Sequence, residues 1–507
     1  MQIRAGLKGC EHMFRTKILA NYWSLRPFWL KMVVIFLVGV IAGLGQAPFN
    51  FPVLTLMSFA LILRLVHEPK QKFNFTLGWI FGCGYFGISL AWIVQPFFVD
   101  IWSTGWMAPF ALSLMSMLLG LFWAVALSIA RGLSSLFSCV LICLAEISRT
   151  YFFSGFPWAL IGYIWVDTPL YQLAAFVGPH GMTLATLLLS SCLAFFPWRY
   201  RAVLVFCVLI LPLFPEIKGP IASDASAVVR LVHPNVEQTQ KWDPEFQEEI
   251  FQRHLEFSRS EPFVDLIVWP ETSVYSPIET VKKEISTAAN GAHVVVGYQR
   301  RLENNLIYNT LGVLSPDGVL KSQYDKNRLV PFGEYVPFGE LLKKVGIKNF
   351  AISDGYGFSK GPGPEIFSVN RIGKIQPLIC YEGIFPQFVG RAKFRPDLLI
   401  LITNDAWFGS HQGIAQHFFQ ARARTIELGL PMVRVANRGI STVIDASGAF
   451  GNFLSIQDEG YLDISIPPKR SPTFYFQYGE LIIFVTLCFL ICVGSLYNFS
   501  KRRLTRS

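Results

Sequence analysis

The chain has 507 residues, of which 52% are hydrophobic and only 15% are charged, and its formal net charge is +10. This composition is too apolar for an ordinary soluble protein, and the length allows two or more units with their own cores. Residues 220–478 contain 26 lysines and arginines against 27 acidic residues, whereas the rest of the chain contains 18 against 7. A basic excess confined to the apolar parts of the chain argues against nucleic-acid binding.

Eight apolar segments are long enough, or nearly long enough, to cross a bilayer of ~30 Å as helices. They cover residues 29–47, 51–66, 75–99, 107–130, 134–153, 178–198, 202–215 and 481–499. The fifth and seventh are the weakest candidates, because they are short or interrupted by polar residues. The sequence therefore predicts an α-helical membrane bundle of about eight transmembrane helices, with seven in residues 1–219 and one in residues 479–507.

The basic residues outside the middle region predict its orientation. With eight spans, 16 of these 18 residues fall on one side of the membrane, and only Arg149 and Lys218 fall elsewhere. The positive-inside rule places that side in the cytoplasm and residues 220–478 across the membrane, which in a bacterial inner membrane means the periplasm. A signal peptide cleaved near Ala47 is less favoured, because the basic stretch is long and a second apolar segment follows almost at once.

Cysteine usage singles out one thiol. Cys380 alone belongs to residues 220–478, and the other eight cysteines lie in or beside the apolar segments, at positions 10, 83, 139, 143, 192, 207, 488 and 492. No disulfide can therefore form within the middle region. An unpaired thiol is a liability in an oxidising compartment, which indicates a use for Cys380. The alternative is a small buried side chain with no chemical role.

Short β-branched runs alternate with helical patterns in the middle region. Predicted strands cover residues 228–234, 265–271, 292–299, 306–316, 318–326, 374–382, 397–405, 431–439 and 441–448, and predicted helices cover 244–259, 279–291 and 413–429. Strands buried on both faces and alternating with helices predict an α/β layered domain. In such domains functional residues lie at the carboxyl ends of the strands.

Three predicted strands end in groups that suit acyl transfer: Glu271, Lys326 and Cys380. A thiolate is a strong nucleophile, and a nearby cation lowers the pKa of its thiol. A carboxylate can take the thiol proton and later deprotonate the incoming nucleophile, while a lysine and a backbone N–H stabilise the oxyanion. Each residue also has a structural alternative: Glu271 as a helix cap, Lys326 as a surface lysine, and Glu382 as a partner for a turn amide or for Lys326.

The motifs WPE (269–271), YDKNRLVPFGEYVP (324–337) and ICYEGIFP (379–386), in this order, resemble the carbon–nitrogen hydrolase, or nitrilase, superfamily. That resemblance implies an αββα sandwich with a Glu–Lys–Cys triad. The motif NDAWFG (404–409) and the run at 416–427 extend the match. Together with seven spans before the domain and one after it, the whole chain resembles the apolipoprotein N-acyltransferase family.

The resemblance implies a ping-pong reaction in which Cys380 takes the sn-1 acyl chain of a phospholipid, typically phosphatidylethanolamine, as a thioester. The α-amine of a diacylglyceryl-cysteine at a lipoprotein N-terminus then accepts the chain. No cofactor or metal is implied, and we expect a monomer. By matching motifs, Glu271 is the base, Lys326 the oxyanion stabiliser and Cys380 the nucleophile. The supporting or substrate-binding residues implied in the same way are Glu334, Glu382, Tyr381, Trp242 and Asn309, with Trp242 on a mobile arm.

Two positions depart from the expected pattern: Ile414 stands where a proline is usual, and Arg438 stands where a threonine is usual. Neither belongs to the triad, so they put only local loop shape and substrate detail in question. The segment 327–358 mixes aromatic and aliphatic residues with lysines, as an interfacial element does. We expect it to roof the site and exclude water, which would favour an amine over water as acyl acceptor; the alternative is a loop packed on its own domain.

Two other functions fit parts of the sequence. A membrane-anchored nitrilase-type amidase, which hydrolyses C–N bonds, would keep the triad, but eight spans are more than an anchor requires. A transporter would use the spans as a pathway, but such pathways usually carry intramembrane charges. Here these are few, chiefly Glu146 and Arg149.

Overall fold

The computed structural model describes residues 27–68, 71, 73–210, 226–303, 305–337 and 357–504. Its helices are α1 (Phe28–Gly43), α2 (Pro52–Val66), α3 (Asn74–Ser89), α4 (Ile101–Thr104), α5 (Ala108–Ile129), α6 (Ser135–Tyr151), α7 (Ala174–Phe195), α8 (Trp198–Ile210), α9 (Gln238–Lys241), α10 (Pro244–Arg259), α11 (Ile278–Ala288), α12 (Gln412–Leu428), α13 (Phe474–Tyr478) and α14 (Leu481–Leu504). Its strands are β1 (Val228–His233), β2 (Leu266–Val268), β3 (His293–Arg301), β4 (Ile307–Leu314), β5 (Leu320–Asp325), β6 (Phe367–Val369), β7 (Gly373–Ile379), β8 (Leu398–Thr403), β9 (Met432–Ala436), β10 (Thr442–Ile444) and β11 (Gly460–Ser465).

All eight predicted apolar segments contain a helix. In the part of the chain that the structure describes, two stretches are long and apolar enough to cross a membrane, Ile101–Ile129 and Pro169–Phe195, and a bent pair makes a third if it is counted as one span. The helices α1 and α2 and the stretch Leu481–Leu496 are apolar but shorter. The helical region is therefore present as expected, whereas eight membrane crossings are not confirmed.

The segment predicted as one helix at 75–99 is broken. It consists of α3 and a 3-10 helix, Ala91–Phe98, which meet at an angle of 50°. A break frees backbone carbonyls that cannot remain unpaired in an apolar environment. Here the carbonyl oxygen of Ile88 accepts a hydrogen bond from Gln412 Nε2 at 2.7 Å, and that of Ser89 accepts one from Gln416 Nε2 at 3.0 Å. Both donors come from α12, so the bend depends on the middle region of the chain.

The helix α7 is also interrupted, at the point where the sixth predicted segment begins. Gly178 has φ +68° and precedes Pro179, which cannot donate a backbone hydrogen bond. A Cβ atom at Gly178 would lie 2.2 Å from the ring of Tyr475. Glycine is therefore required here both by the backbone conformation and by the close approach of α13.

The middle region contains two sheets. A six-stranded sheet has the order β11-β1-β2-β3-β4-β5, and a five-stranded sheet has the order β10-β9-β8-β7-β6. Strands β1, β2 and β3 are parallel to each other, as are β7, β8 and β9, and the outer strands are antiparallel. In the second sheet Ile379 pairs with Ile402, and Ile402 with Val435. The carboxyl ends of β7, β8 and β9 therefore lie side by side.

The two sheets pack face to face, with β1 against β9 and β4 against β7. Helices α10 and α11 cover the first sheet, and α12 lies against the 3-10 helix Cys380–Ile384, which follows β7. In α10 the buried residues Ile250, His254 and Ser258 recur at every fourth position, which is the spacing of one helical face. This arrangement is the predicted αββα sandwich.

Two of the strands, β6 and β11, were not predicted, and part of one predicted element lies outside the described residues. Strand β11 begins with Gly460, pairs with β1 at the sheet edge, and is largely half-buried, so its residues show no strong hydrophobic alternation. Of the predicted roof at 327–358, residues 338–356 lie outside the described residues. The predicted boundary between residues 219 and 220 lies outside them as well.

The helix α12 joins the middle region to the N-terminal helices through buried polar contacts. Gln416 is buried, with 3% of its surface exposed. Its Oε1 accepts a hydrogen bond from Trp158 Nε1 at 2.6 Å, and its Nε2 donates one to the carbonyl oxygen of Ala47 at 2.9 Å. Further along the same helix, Glu427 accepts a hydrogen bond from the Tyr171 hydroxyl at 2.7 Å. Buried polar groups without partners are unfavourable, so these contacts specify how the two parts dock.

Candidate active site

The three predicted catalytic residues each follow a strand. Glu271 lies three positions after β2, Lys326 directly follows β5, and Cys380 directly follows β7. All three are buried, with exposed fractions of 5%, 1% and 6%. The first two strands belong to one sheet and the third to the other, so the face-to-face packing of the sheets brings these strand ends into one buried region.

Glu271 is held by hydrogen bonds to both carboxylate oxygens. Oε1 accepts from Asn309 Nδ2 at 2.7 Å and from Lys326 Nζ at 3.3 Å, and Oε2 accepts from the backbone N–H of Asn404 at 2.9 Å. Its main-chain oxygen accepts from Lys241 Nζ at 2.8 Å. The carboxylate is therefore held by residues from three different parts of the chain, and Lys241 holds the backbone of the same residue.

The loop that carries Glu271 crosses β3 at very short range. A Cβ atom at Gly297 would lie 2.6 Å from the carbonyl oxygen of Pro270 and 2.8 Å from the Cα of Glu271. No side chain fits at that distance, so glycine is required at this position of β3 for the Glu271 loop to adopt its path.

Lys326 contacts two carboxylates rather than one. Its Nζ lies 2.8 Å from Glu334 Oε1 and 3.3 Å from Glu271 Oε1, and Asn309 Nδ2 also donates to Glu334 Oε1, at 3.1 Å. Burial opposes the lysine charge, but the two carboxylates outweigh it and raise the pKa of Lys326 above its usual value. Lys326 is therefore a buried ammonium with two counter-ions, and the structural alternative of a surface lysine is wrong.

Cys380 occupies an unusual backbone conformation. Its φ is +50°, in the left-handed region that non-glycine residues rarely adopt. Such conformations persist where surrounding contacts hold them, and they are frequent at functional sites. The residue begins the turn Cys380–Ile384, so its side chain is presented at the end of β7 rather than within the strand.

Glu382 holds the turn around Cys380. Its carboxylate accepts hydrogen bonds from the Tyr324 hydroxyl at 2.6 Å and from the backbone N–H groups of Asn327 at 2.7 Å, Arg328 at 3.2 Å and Ile379 at 2.8 Å. These donors lie within two residues of Lys326 or Cys380 in sequence. Burial raises the pKa of Glu382 to about 7, although the hydrogen bonds oppose this shift. Of the two structural partners considered for Glu382, turn amides are found, and Lys326 is not among its hydrogen-bond partners.

The electrostatics of Cys380 differ from the simple expectation of a thiolate stabilised by a cation. Burial and the charge of Glu271 raise the pKa of the Cys380 thiol above its usual value, and the charge of Asp405 raises it further. Lys326 lowers this pKa, but by less than the other groups raise it. The thiol of Cys380 is therefore less acidic than that of a free cysteine, and Glu271 and Lys326 act on it in opposite directions through their charges.

Two of the predicted supporting residues have contacts outside the hydrogen-bond network of the Glu271–Lys326 pair. The Tyr381 hydroxyl donates to the carbonyl of Gly155 at 3.4 Å, so this side chain contacts the N-terminal helical region. Trp242 is 37% exposed, and its ring lies 6.4 Å from that of Tyr275. Of the five supporting residues, Asn309, Glu334 and Glu382 lie in the hydrogen-bond networks around the triad, and the other two lie at its periphery.

Several residues that contact the Cys380 carbonyl oxygen, directly or through His417, were not predicted from the sequence. His417 places Nε2 3.2 Å from the carbonyl oxygen of Cys380 and Nδ1 2.9 Å from Asp405 Oδ1. Arg434 donates to Asp405 Oδ2 at 2.5 Å, and the ring of Trp158 stacks on His417 with centroids 5.9 Å apart. The motifs at 404–409 and 416–427 contained two of these residues, but nothing in the sequence linked them to Cys380.

A buried thiol, a carboxylate and an ammonium can together perform covalent acyl transfer. The carboxylate can accept the thiol proton, and the ammonium can stabilise negative charge that develops on a carbonyl oxygen. Within the described part of the chain, no group of three or more His, Cys, Asp or Glu side chains is arranged to hold a metal ion.

Two family models match the chain. The model described as the apolipoprotein N-acyltransferase N-terminal domain matches residues 38–192, and the carbon-nitrogen hydrolase model matches residues 235–471. An amidase of the nitrilase superfamily from Nesterenkonia AN1 aligns with 52% of this chain and 99% of its own, at 15% identity and a TM-score of 0.38.

Curated relatives match over nearly the full length. The apolipoprotein N-acyltransferase of Brucella melitensis is 31% identical, and the alignment covers 96% of this chain and 99% of the relative. That of Caulobacter vibrioides is 33% identical, with 90% and 92% covered. That of Rickettsia prowazekii is 29% identical, with 92% and 98% covered. The similarity therefore includes both the helical region and the sandwich.

Proposed function

This chain belongs to the apolipoprotein N-acyltransferase family, and on that premise we propose that it transfers the sn-1 acyl chain of a membrane phospholipid to the N-terminal amine of diacylglyceryl-cysteine on apolipoproteins. One observation carries the mechanism: the buried contact between Glu271 and Lys326, with Cys380 interacting electrostatically with both. Phosphatidylethanolamine is the proposed donor, and a monomer is the proposed state.

In the first half-reaction Glu271 accepts the proton of the Cys380 thiol, and the sulfur attacks the ester carbonyl carbon. Negative charge develops on the carbonyl oxygen, where Lys326 and a backbone N–H after the cysteine stabilise it. The ester C–O bond then breaks, and the lysophospholipid alkoxide takes the proton from Glu271. This leaves an acyl thioester on Cys380.

In the second half-reaction the α-amine of the lipoprotein attacks the thioester carbonyl. Glu271 accepts a proton from the amine, the C–S bond breaks, and Cys380 regains its proton. The product is an amide. Burial of the triad supports transfer over hydrolysis, because a site that excludes water protects the thioester.

The membrane arrangement is part of the same proposal. Residues 1–219 form the N-terminal bundle, residues 220–478 form a catalytic domain on the periplasmic face of the bacterial inner membrane, and residues 479–507 form a final helix with a cytoplasmic tail. The docking of α12 on the N-terminal helices supports a site close to the membrane, since Gln416 bonds to Trp158 and Ala47 while the next residue, His417, contacts the Cys380 carbonyl.

Intact-mass measurement after incubation with phosphatidylethanolamine tests the proposal. We expect a mass increase of one acyl chain on Cys380, and none in Cys380→Ser, because a serine hydroxyl is far less acidic than a thiol. Addition of a diacylated lipopeptide should then return the wild-type mass and yield a triacylated peptide. Free fatty acid as the main product would instead support the amidase-like, hydrolytic alternative.

A further inference from the structure

A second lysine lies at the site, and the motifs that define the triad do not include it. Lys241 ends the short helix α9 and is 2% exposed, whereas the next residue, Trp242, is 37% exposed. The helix end therefore directs an ammonium group into the domain and an indole ring towards its surface. Most lysines lie at the surface, and a lysine buried to this extent requires specific partners.

The partner of Lys241 is the proposed base. Its Nζ donates to the main-chain oxygen of Glu271 at 2.8 Å. The same short helix reaches Glu271 by a second route: Gln238 Oε1 accepts from Asn404 Nδ2 at 2.8 Å, and the backbone N–H of Asn404 donates to Glu271 Oε2 at 2.9 Å. The helix α9 thus holds Glu271 at both its backbone and its carboxylate.

Lys241 also interacts with the nucleophile through its charge. Burial lowers its pKa to about 8, although the charges of Glu271 and Cys380 act in the opposite direction. The charge of Lys241 also disfavours protonation of His254. Cys380 in turn interacts with Glu271, Lys326 and Asp405. Ionisation of the sulfur therefore adds a negative charge to a buried region in which Lys241 is a second cation.

We propose that Lys241 is a positioning residue for Glu271, and that its ammonium favours the ionised form of Cys380 during formation of the acyl-enzyme. This inference rests on the function proposed above. It adds to the Glu–Lys–Cys triad a second lysine, which positions Glu271 and whose charge acts on Cys380. The hydrogen bond to the Glu271 carbonyl requires only a donor, whereas the effect on Cys380 requires a positive charge, so the two roles are separable by substitution.

The test compares Lys241→Met, Lys241→Gln and Lys241→Arg with Lys321→Met, which removes an exposed lysine from β5. The rate of Cys380 alkylation by iodoacetamide is measured against pH, with the Cys380 peptide quantified by mass spectrometry. We expect the Met and Gln variants to shift the alkylation midpoint upwards and to lower the rate near neutral pH about tenfold, the factor that corresponds to one pKa unit. The Arg variant and Lys321→Met should retain the wild-type midpoint.

A purely structural role gives a different result. It lowers the fraction of Cys380 that reacts but leaves the midpoint unchanged, and that outcome would overturn the charge assignment. If Lys241→Met yields no monodisperse protein, Lys241→Gln decides the question, because glutamine keeps a donor group without the charge. If neither neutral variant folds while Lys241→Arg does, Lys241 has a purely structural role and the proposal falls.

Acyl-enzyme formation from phosphatidylethanolamine is measured on the same variants. Both neutral variants should form the adduct about tenfold more slowly than Lys321→Met, in line with the alkylation shift. If wild type and Lys321→Met form no adduct, the proposed function fails, whatever the alkylation profiles show. If they form it and the neutral variants match them in rate and midpoint, the inference about Lys241 fails alone.

Discussion

The ammonium nitrogen of Lys326 lies closer to Glu334 than to Glu271, at 2.8 Å against 3.3 Å. Asn309 donates to both carboxylates through the same Nδ2. Two buried carboxylates, one ammonium and one amide therefore form a four-residue array in which Glu334 is the closer of the two counter-ions of Lys326. Against the effect of burial, both carboxylates raise the pKa of Lys326.

Glu334→Gln should therefore slow acyl-enzyme formation even though Glu334 is not part of the triad. The substitution removes the closer counter-charge of a buried ammonium, which lowers the pKa of Lys326 and loosens its position. We expect a decrease of about tenfold or more in the acylation rate, equivalent to about 1.4 kcal/mol or more in the barrier. Intact-mass kinetics measure this, with Glu284→Gln at an exposed position of α11 as the control. Equal rates in the two variants would contradict the array.

Glu271→Gln should separate the acidity of Cys380 from its catalytic use. Loss of the carboxylate removes the proposed base, so acylation by phospholipid should fall below detection. The same change removes a charge that raises the pKa of the thiol, so the midpoint of Cys380 alkylation should move to lower pH. Both measurements use one protein preparation. A midpoint that stays or rises would show that Glu271 does not face the sulfur.

Gln416→Leu should weaken the docking of the domain on the N-terminal helices. Leucine leaves the carbonyls of Ala47 and Ser89 and the indole N–H of Trp158 buried without this partner. Each such group costs about 1–3 kcal/mol. We expect a lower melting temperature in detergent and faster proteolysis between the two parts. Gln477→Leu, at an exposed position of α13, is the control; equal melting temperatures for the two variants would contradict the assigned role of Gln416.

His254 should make the protein less stable in acid. Burial lowers the pKa of His254 from 6.5 to about 3. Its Nδ1 donates a hydrogen bond to the Ile250 carbonyl at 2.7 Å, and its Nε2 has no hydrogen-bond partner among the described atoms. Between these two pKa values the unfolded chain binds a proton that the folded chain does not. The stability from this group is therefore full above pH 6.5 and decreases as the pH falls, by about 2 kcal/mol at about pH 5.

His254→Asn keeps a donor near Nδ1 but cannot be protonated. We expect its melting temperature to fall less than that of wild type between about pH 7.5 and about pH 5. The comparison of variant with wild type is needed because Glu382, whose pKa is raised to about 7, contributes in the opposite direction between pH 4.5 and 7. An equal decrease in the two proteins would show that His254 is not the group responsible.

Local patterns were sufficient for the apolar helices, most of the strands and the positions of Glu271, Lys326 and Cys380. Helix and strand periodicity, and the placement of a polar group at the end of an apolar run, are properties of neighbouring residues. The helix α10 was predicted with the bounds that the structure shows. Strands β6 and β11 were missed because they are short or half-buried at sheet edges, where the hydrophobic signal is weak.

Only the tertiary structure decided how these parts act on one another. The bend after α3 depends on Gln412 and Gln416, more than 300 residues away, and the protonation of Cys380 depends on burial and on Glu271. No sequence pattern singled out Lys241, whose ammonium the fold places against the Glu271 carbonyl. Burial, charge coupling and hydrogen bonding between distant segments are set by three-dimensional packing, so no local pattern contains them.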